Sequence, residues 1–132
     1  MKKLYLILAI FLFYSHLIAQ DKSKNPTVVS FANIQVAPDF PGGPDELKAY
    51  IDTQLKYPSE AVVDKIEGTV ILEFIVTKMG NIESIKIYKS VHPLLDEEAK
   101  RLVKSMPKWS PGKNEGQDVN AQYVLPIKFY LK

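Results

Sequence analysis

The stretch VNAQYVLPIKFYL, residues 119–131, decides the fold, because its side chains separate into an apolar and a mixed face. This period of two predicts a β-strand with one buried face. The apolar face carries Val119, Ala121, Tyr123, Leu125, Ile127, Phe129 and Leu131. The other face carries Asn120, Gln122, Val124, Pro126, Lys128, Tyr130 and Lys132. The chain is therefore expected to end in a long, half-buried strand.

A proline in this run predicts where the strand lies in its sheet. Proline has no amide hydrogen, so within sheets it belongs to edge strands or bulges. Pro126 therefore indicates that the last strand pairs on one side only, or through an interruption. A free strand edge is a template for an added peptide strand. The alternative is that Pro126, Lys128 and Lys132 protect this edge against aggregation.

Two helices are predicted upstream, after a segment rich in proline and glycine at residues 38–44. The first begins near Pro44 and ends before Pro58. Its apolar stripe consists of Leu47, Tyr50, Ile51 and Leu55. Ser59 is expected to cap a short second helix over residues 60–65.

A hairpin and a third helix are predicted between these helices and the last strand. Alternation over residues 70–76 predicts the first hairpin strand, and Ile85 and Ile87 belong to the second. The segment Met79–Asn81 supplies the turn, since glycine and asparagine tolerate positive φ. The third helix is expected from about residue 94 to residue 106, where a proline follows.

The first nineteen residues are typical of a secretory signal peptide. Lys2 and Lys3 precede an apolar run from Leu4 to Tyr14, and Ala19 is a small residue at the expected cleavage site. The alternative is an uncleaved inner-membrane anchor, for which this stretch is short. Residues 20–37 are expected to form a linker with a short strand around residues 34–36. Residues 38–132 are expected to form the domain.

Charge and composition restrict the classes of function. The chain has 17 Lys and Arg against 15 Asp and Glu. Without residues 1–19, which hold Lys2 and Lys3 and no acid, the balance is 15 against 15. A neutral domain has no electrostatic footprint for nucleic acid. The chain has no cysteine, and its remaining donors make no zinc ligand set.

No catalytic constellation is visible, so we expect no enzyme, no metal, no cofactor and no small-molecule substrate. His92 is the only histidine outside residues 1–19 and precedes a proline at a turn. The acids Asp96, Glu97 and Glu98 suit the positive end of a helix dipole. Trp109 is expected to close one end of the core, and the alternative is that it stacks on a ligand.

An ordered set of motifs resembles the TonB C-terminal domain over about residues 38–132. In chain order they are Phe40-Pro41-Gly42-Gly43, Tyr57-Pro58, Ile66-Glu67-Gly68-Thr69-Val70, Phe74-Ile75-Val76, Leu95-Asp96-Glu97-Glu98-Ala99, Pro107-Lys108-Trp109, Pro111-Gly112-Lys113 and Leu125-Pro126-Ile127-Lys128-Phe129. Any one of them is weak alone, but their combination in this order is specific.

The resemblance implies an α+β, two-layer sandwich, in which helices pack on one face of an antiparallel sheet of about three strands in the order 2-1-3. Members of this family bind the TonB box, an extended segment of outer-membrane TonB-dependent transporters, in the periplasm. The box adds to the edge of the last strand. The partner-binding residues that this implies are Tyr57, Pro58, Asn120, Gln122, Val124, Pro126 and Lys128.

The chain departs from a complete energy transducer, which has a lasting membrane anchor and a long proline-rich spacer. Residues 20–39 span at most roughly 70 Å when fully extended. The alternative functions are a stand-alone envelope adaptor and a self-associating structural protein, neither with energy transduction. In the second, two last strands pair to form a homodimer.

Overall fold

The computed structural model describes residues 27–132, which form three helices and five strands. The helices are α1 (Pro44–Gln54), α2 (Ser59–Val63) and α3 (Pro93–Lys104). The strands are β1 (Val28–Val29), β2 (Gly68–Val76), β3 (Ile82–Lys89), β4 (Gly112–Asn114) and β5 (Gln117–Phe129). The predicted signal peptide and the first part of the predicted linker lie outside the described residues. Within those residues, no helix is long and apolar enough to cross a membrane.

The strands form a mixed sheet in the order β1-β5-β2-β3, and β4 also pairs with β5. β2 is antiparallel to both β3 and β5, whereas β1 runs parallel to β5. The α+β class is confirmed. The expected sheet of about three antiparallel strands in the order 2-1-3 is wrong in strand number and order, although the three long strands lie side by side as β3-β2-β5. The two additional strands have two and three residues, too few to show an alternating pattern.

One hydrophobic core joins the helices to a single face of the sheet. Every second residue of β2 from Val70 to Val76 is fully buried, and β5 shows the same alternation from Leu125 to Phe129. The buried strand residues are Val70, Leu72, Phe74, Val76, Ala121, Leu125, Ile127 and Phe129. The helices contribute Leu47, Ala61, Leu95, Ala99, Leu102 and Val103. Burial of these apolar side chains is the main favourable term in folding.

A proline precedes the start of α2 without a side-chain cap, whereas a histidine side chain caps the start of α3. The expected N-cap at Ser59 is wrong, because Ser59 is the first helical residue and Pro58 is the N-cap, without a side-chain hydrogen bond. The ring of Pro58 holds φ at −59°, so the chain is already set for the turn into α2. At α3 the cap is His92, whose Nδ1 accepts a hydrogen bond of 3.1 Å from the Leu94 amide.

Trp109 lies in an aromatic cluster at one end of the core, as the core interpretation predicted. Its side chain is 3% exposed, and the rings of Phe40, Phe74 and Tyr123 approach it edge-on, with centroids 4.8–5.8 Å away. The Trp109 amide also donates to the Gly80 carbonyl oxygen in the turn between β2 and β3. The tryptophan therefore connects the core to that turn.

The segment before α1 is connected to the end of the sheet. β1 pairs with Asn120 and Ala121. Further on, Val36 exchanges two backbone hydrogen bonds with Lys113, at 3.0 and 2.8 Å. Gln35 also donates its amide to the Asn114 side chain, 2.8 Å away. The described chain is therefore attached to β4 and β5 before it enters α1.

Candidate functional site

The free side of β5 is the candidate site, and the register with β2 shows which groups face it. Each residue from Gly68 to Val76 pairs with one residue from Phe129 to Ala121, without a bulge. Alternate pairs in an antiparallel ladder exchange two hydrogen bonds. Pro126 pairs with Ile71 and has no amide hydrogen, so this pair belongs to the non-bonded set. The backbone groups of Pro126 therefore point away from β2.

The same alternation orients the neighbouring residues of β5. The backbone groups of Gln122, Val124 and Lys128 also point away from β2, because they lie an even number of residues from Pro126. β1 occupies this side at Asn120 and Ala121. From Tyr123 to Phe129, β2 is the only described strand that pairs with β5. This stretch therefore offers backbone donors and acceptors to an added strand.

The predicted site residues at the start of β5 have roles within the fold. The Asn120 side chain accepts a hydrogen bond of 2.8 Å from the Lys78 amide, in the turn between β2 and β3. The Gln122 side chain accepts one of 3.1 Å from the Phe31 amide, just after β1. Val124 is half-buried, whereas Pro126 and Lys128 are exposed. The side chains free for a partner thus lie in the second half of the strand.

Tyr57 is fixed beside the other end of β5. Its ring meets the Phe129 ring edge-on, with centroids 5.7 Å apart, and its hydroxyl donates to the Ile66 carbonyl oxygen. Tyr57 and Lys128 both line an open groove of about 520 Å³, the terminal groove. Its other lining residues are Asp52, Leu55, Val62, Tyr130, Leu131 and Lys132. Asn120 lies roughly 27 Å from Lys128 along the strand, so the structure brings only part of the predicted set together.

A second groove, which the sequence did not predict, lies between α1 and the free side of β5. We refer to it as the α1 groove; its volume is about 280 Å³. Its lining residues are Pro44, Leu47, Lys48, Ile51, Asp52, Pro126 and Lys128. Four of these are apolar, and Asp52 and Lys128 line the terminal groove as well. The two grooves thus adjoin at Asp52 and Lys128, beside the second half of β5.

Two tyrosine hydroxyls near the strand resist ionisation. Burial raises the pKa of Tyr57, and the carboxylate of Glu67 raises it further. Burial likewise raises the pKa of Tyr123, with a smaller contribution from Asp39. A tyrosine whose pKa is raised in the folded state stabilises the fold at pH values below the ordinary tyrosine pKa of 10.0. That stability is lost as the pH rises through the folded-state pKa.

We expect Tyr57→Phe to reduce the alkaline loss of stability. The variant loses the hydrogen bond to Ile66, about 1 kcal/mol at neutral pH. It also removes one group that ionises more readily in the unfolded chain, so its free energy of unfolding should fall less steeply above pH 10.0. Urea unfolding at a series of pH values measures both effects. An unchanged slope relative to the parent would contradict the assignment to Tyr57.

The polar side chains that could suggest chemistry have structural partners in the described residues. No group of three His, Cys, Asp or Glu within residues 27–132 could hold a metal ion. The His92 ring accepts from a backbone amide at the start of α3. Glu98, buried at 7% exposure, accepts from Arg101 and from the Lys56 amide. These polar groups fix the positions of helices.

A family model and a solved structure show what the chain is similar to. The family model of the Gram-negative bacterial TonB protein C-terminal matches residues 53–131, from the end of α1 through β5. A similar solved structure is the NMR solution structure of the Helicobacter pylori TonB-CTD, at 25% sequence identity. The match covers 70% of this chain and 87% of that chain, with a TM-score of 0.49. No curated protein matches the chain.

Proposed function

Since the chain belongs to the Gram-negative TonB C-terminal family, we propose that β5 captures an extended peptide by β-augmentation. The proposed ligand is the TonB box of an outer-membrane TonB-dependent transporter, bound in the periplasm in the context of energy-dependent transport. The proposal includes export by residues 1–19, with their retention as an inner-membrane anchor as the alternative. The partner-binding contacts are proposed at β5 and around Tyr57 and Pro58.

The observation that carries the proposal is the difference between the two edges of the sheet. The free stretch of β5 follows an uninterrupted register with β2. The opposite edge strand, β3, has register shifts, and its Ser84 has a φ of 54°. Bulges and twisted backbone discourage strand addition at an edge. Among the described strands, β5 therefore offers the regular ladder that an added strand needs.

The free side of β5 would select for an extended backbone more than for one fixed sequence. Each backbone hydrogen bond contributes about 0.5–1.5 kcal/mol net, whichever side chain the donor carries. Pro126 supplies an acceptor but no donor, so Val124 and Lys128 provide the amide donors of this stretch. An added strand can therefore tolerate many sequences, and the flanking grooves supply the discrimination.

We expect Val124→Pro to weaken binding of TonB-box peptides by at least about tenfold, because it removes an outward amide donor and places a ring in the path of the strand. Val124→Thr is the matched control, since it retains the amide and the β-branched shape. The measurement is an NMR titration of the ¹⁵N-labelled protein, expressed from the full sequence and purified as the cell processes it. The peptides are synthetic TonB boxes from transporters of the same bacterium.

In the parent and in Val124→Thr, amide shifts should concentrate on residues 119–131 and around Tyr57. Equal affinity of Val124→Pro and Val124→Thr would contradict addition at this edge. No shifts at millimolar peptide, in a folded monomer, would reject TonB-box capture. Sedimentation of the free protein serves as the check on its state. A dimer that blocks the peptide and is lost in Val124→Pro would instead identify the self-associating alternative.

A further inference from the structure

We propose that the α1 groove receives one large aliphatic side chain of the strand that adds to β5, at the position that pairs with Ile127. The inference rests on the proposed function and specifies its ligand. The peptide should carry leucine, isoleucine or a similar side chain at that one position, next to an acidic residue. Selection among extended peptides would then depend on the groove, while the backbone of β5 supplies general affinity.

The direction of the side chains follows from the pleat of the sheet. Paired residues on adjacent strands project their side chains to the same face. Ile127 is fully buried on the face that the helices cover. A peptide residue paired with Ile127 therefore projects its side chain toward the helices. Pro126 and Lys128, on either side of Ile127, form the β5 wall of the α1 groove. The side chain thus enters the groove without any rearrangement of β5.

The walls of the groove suit an apolar side chain. Leu47 is 8% exposed, and Ile51 is half-buried against the core, so together they form an apolar floor. Pro44 and Pro126 continue this apolar surface to opposite walls. Binding becomes stronger as more apolar side-chain surface is removed from water. A leucine side chain in the groove would therefore bind more strongly than alanine.

The rim of the groove carries an excess of positive charge. Lys48 and Lys128 stand there with the single carboxylate of Asp52. None of these three groups takes part in an ion pair with another residue of the described range. Lys132 lies further along the same side, in the terminal groove. A carboxylate beside the aliphatic residue of the peptide would therefore be attracted to this rim.

The test compares two synthetic TonB-box peptides that differ only at the residue paired with Ile127, which is leucine in one and alanine in the other. The protein is the processed full-sequence product. We expect the leucine peptide to bind about tenfold more tightly. Its methyl groups should show NOEs to Leu47 and Ile51. Lys48→Trp fills the groove from the exposed side of α1 and should abolish the preference. Lys48→Ala removes the same charge, leaves the groove open and should preserve it.

The outcomes separate this inference from the proposed function. Equal affinity of the two peptides, with amide shifts still concentrated on β5, would overturn the groove and leave strand addition intact. A leucine preference that survives Lys48→Trp, or NOEs to other residues, would also overturn it. Absence of binding by both peptides would reject strand addition and the groove together. A second copy of the chain covering the groove would appear as a dimer in sedimentation and would likewise overturn it.

Discussion

Gly80→Ala should lower the free energy of unfolding by about 3 kcal/mol or more, the largest effect that we expect from one methyl group. Gly80 has a φ of +85°, where a residue with a side chain is strained. A Cβ there would also lie inside 3.0 Å of the Trp109 carbonyl oxygen. That oxygen belongs to backbone that is itself hydrogen-bonded to Gly80. The obstacle therefore cannot rotate away like a flexible side chain.

The matched control for this prediction is Gly116→Ala. Gly116 also has a positive φ, +76°, but a Cβ there would meet nothing within 4 Å. Its substitution should therefore cost only the backbone strain, about 1 kcal/mol. Urea unfolding can be followed through the fluorescence of Trp109, the only tryptophan in the chain. Equal losses in the two variants would show that the turn can move away from Trp109.

Glu98→Ala should cost about 2–3 kcal/mol, because the Glu98 carboxylate connects α3 to the end of α1. One oxygen accepts from the Lys56 amide at 2.7 Å, and the same oxygen accepts from Arg101 Nη2 at 2.8 Å. Arg101 Nη2 in turn donates to the Gln54 carbonyl oxygen at 3.0 Å. The Glu98 side chain is 7% exposed, whereas that of Arg101 is 43% exposed. Water therefore weakens the ion pair, but the Lys56 amide loses its partner in a part-buried hydrogen bond.

Glu97→Ala is the control for the loss of an acid from the same helix turn. The Glu97 side chain is 76% exposed and lies 3.5 Å from the Lys100 ammonium group. A solvent-exposed pair of this kind contributes about 0.5 kcal/mol or less. Thermal unfolding of both variants at the same pH makes the comparison. A loss in Glu98→Ala no larger than that in Glu97→Ala would mean that the helix contact does not depend on the carboxylate.

The long helices and strands were predictable because burial of one face leaves apolar residues at regular intervals in the sequence. The alternation over residues 119–131 predicted β5, and Pro126 predicted that one side of it lacks a strand partner over much of its length. β1 and β4 were not predictable, since their two and three residues carry no period. The position of β1 depends on hydrogen bonds to distant β5, whereas β4 is joined to β5 by the two-residue turn Glu115–Gly116.

The β5 side of the candidate site follows from the sequence pattern, whereas its α1 side does not. Sequence patterns place residues on faces of their own element, whereas the α1 groove requires α1 to lie next to β5. For Lys48 and Asp52, the sequence therefore indicated only exposed positions on a helix and no place in a groove. The sequence did not indicate the contact that Glu98 makes with a distant residue, because an acid near the start of a helix also interacts favourably with the helix dipole. Its contact with the Lys56 amide spans 42 positions in the chain.

If β5 binds an added strand as proposed, the short strand β1 limits the length of that strand. It covers the free side of β5 at Asn120 and Ala121. An added strand could therefore pair with about seven residues of β5, or roughly 23 Å. At one end it would collide with Val29, and at the other it would pass beyond Phe129. A slip of one residue would turn every ligand side chain to the opposite face. With one end blocked, the protein itself would set the position at which the added strand begins. A longer peptide must overhang at the carboxyl end of β5 or displace β1.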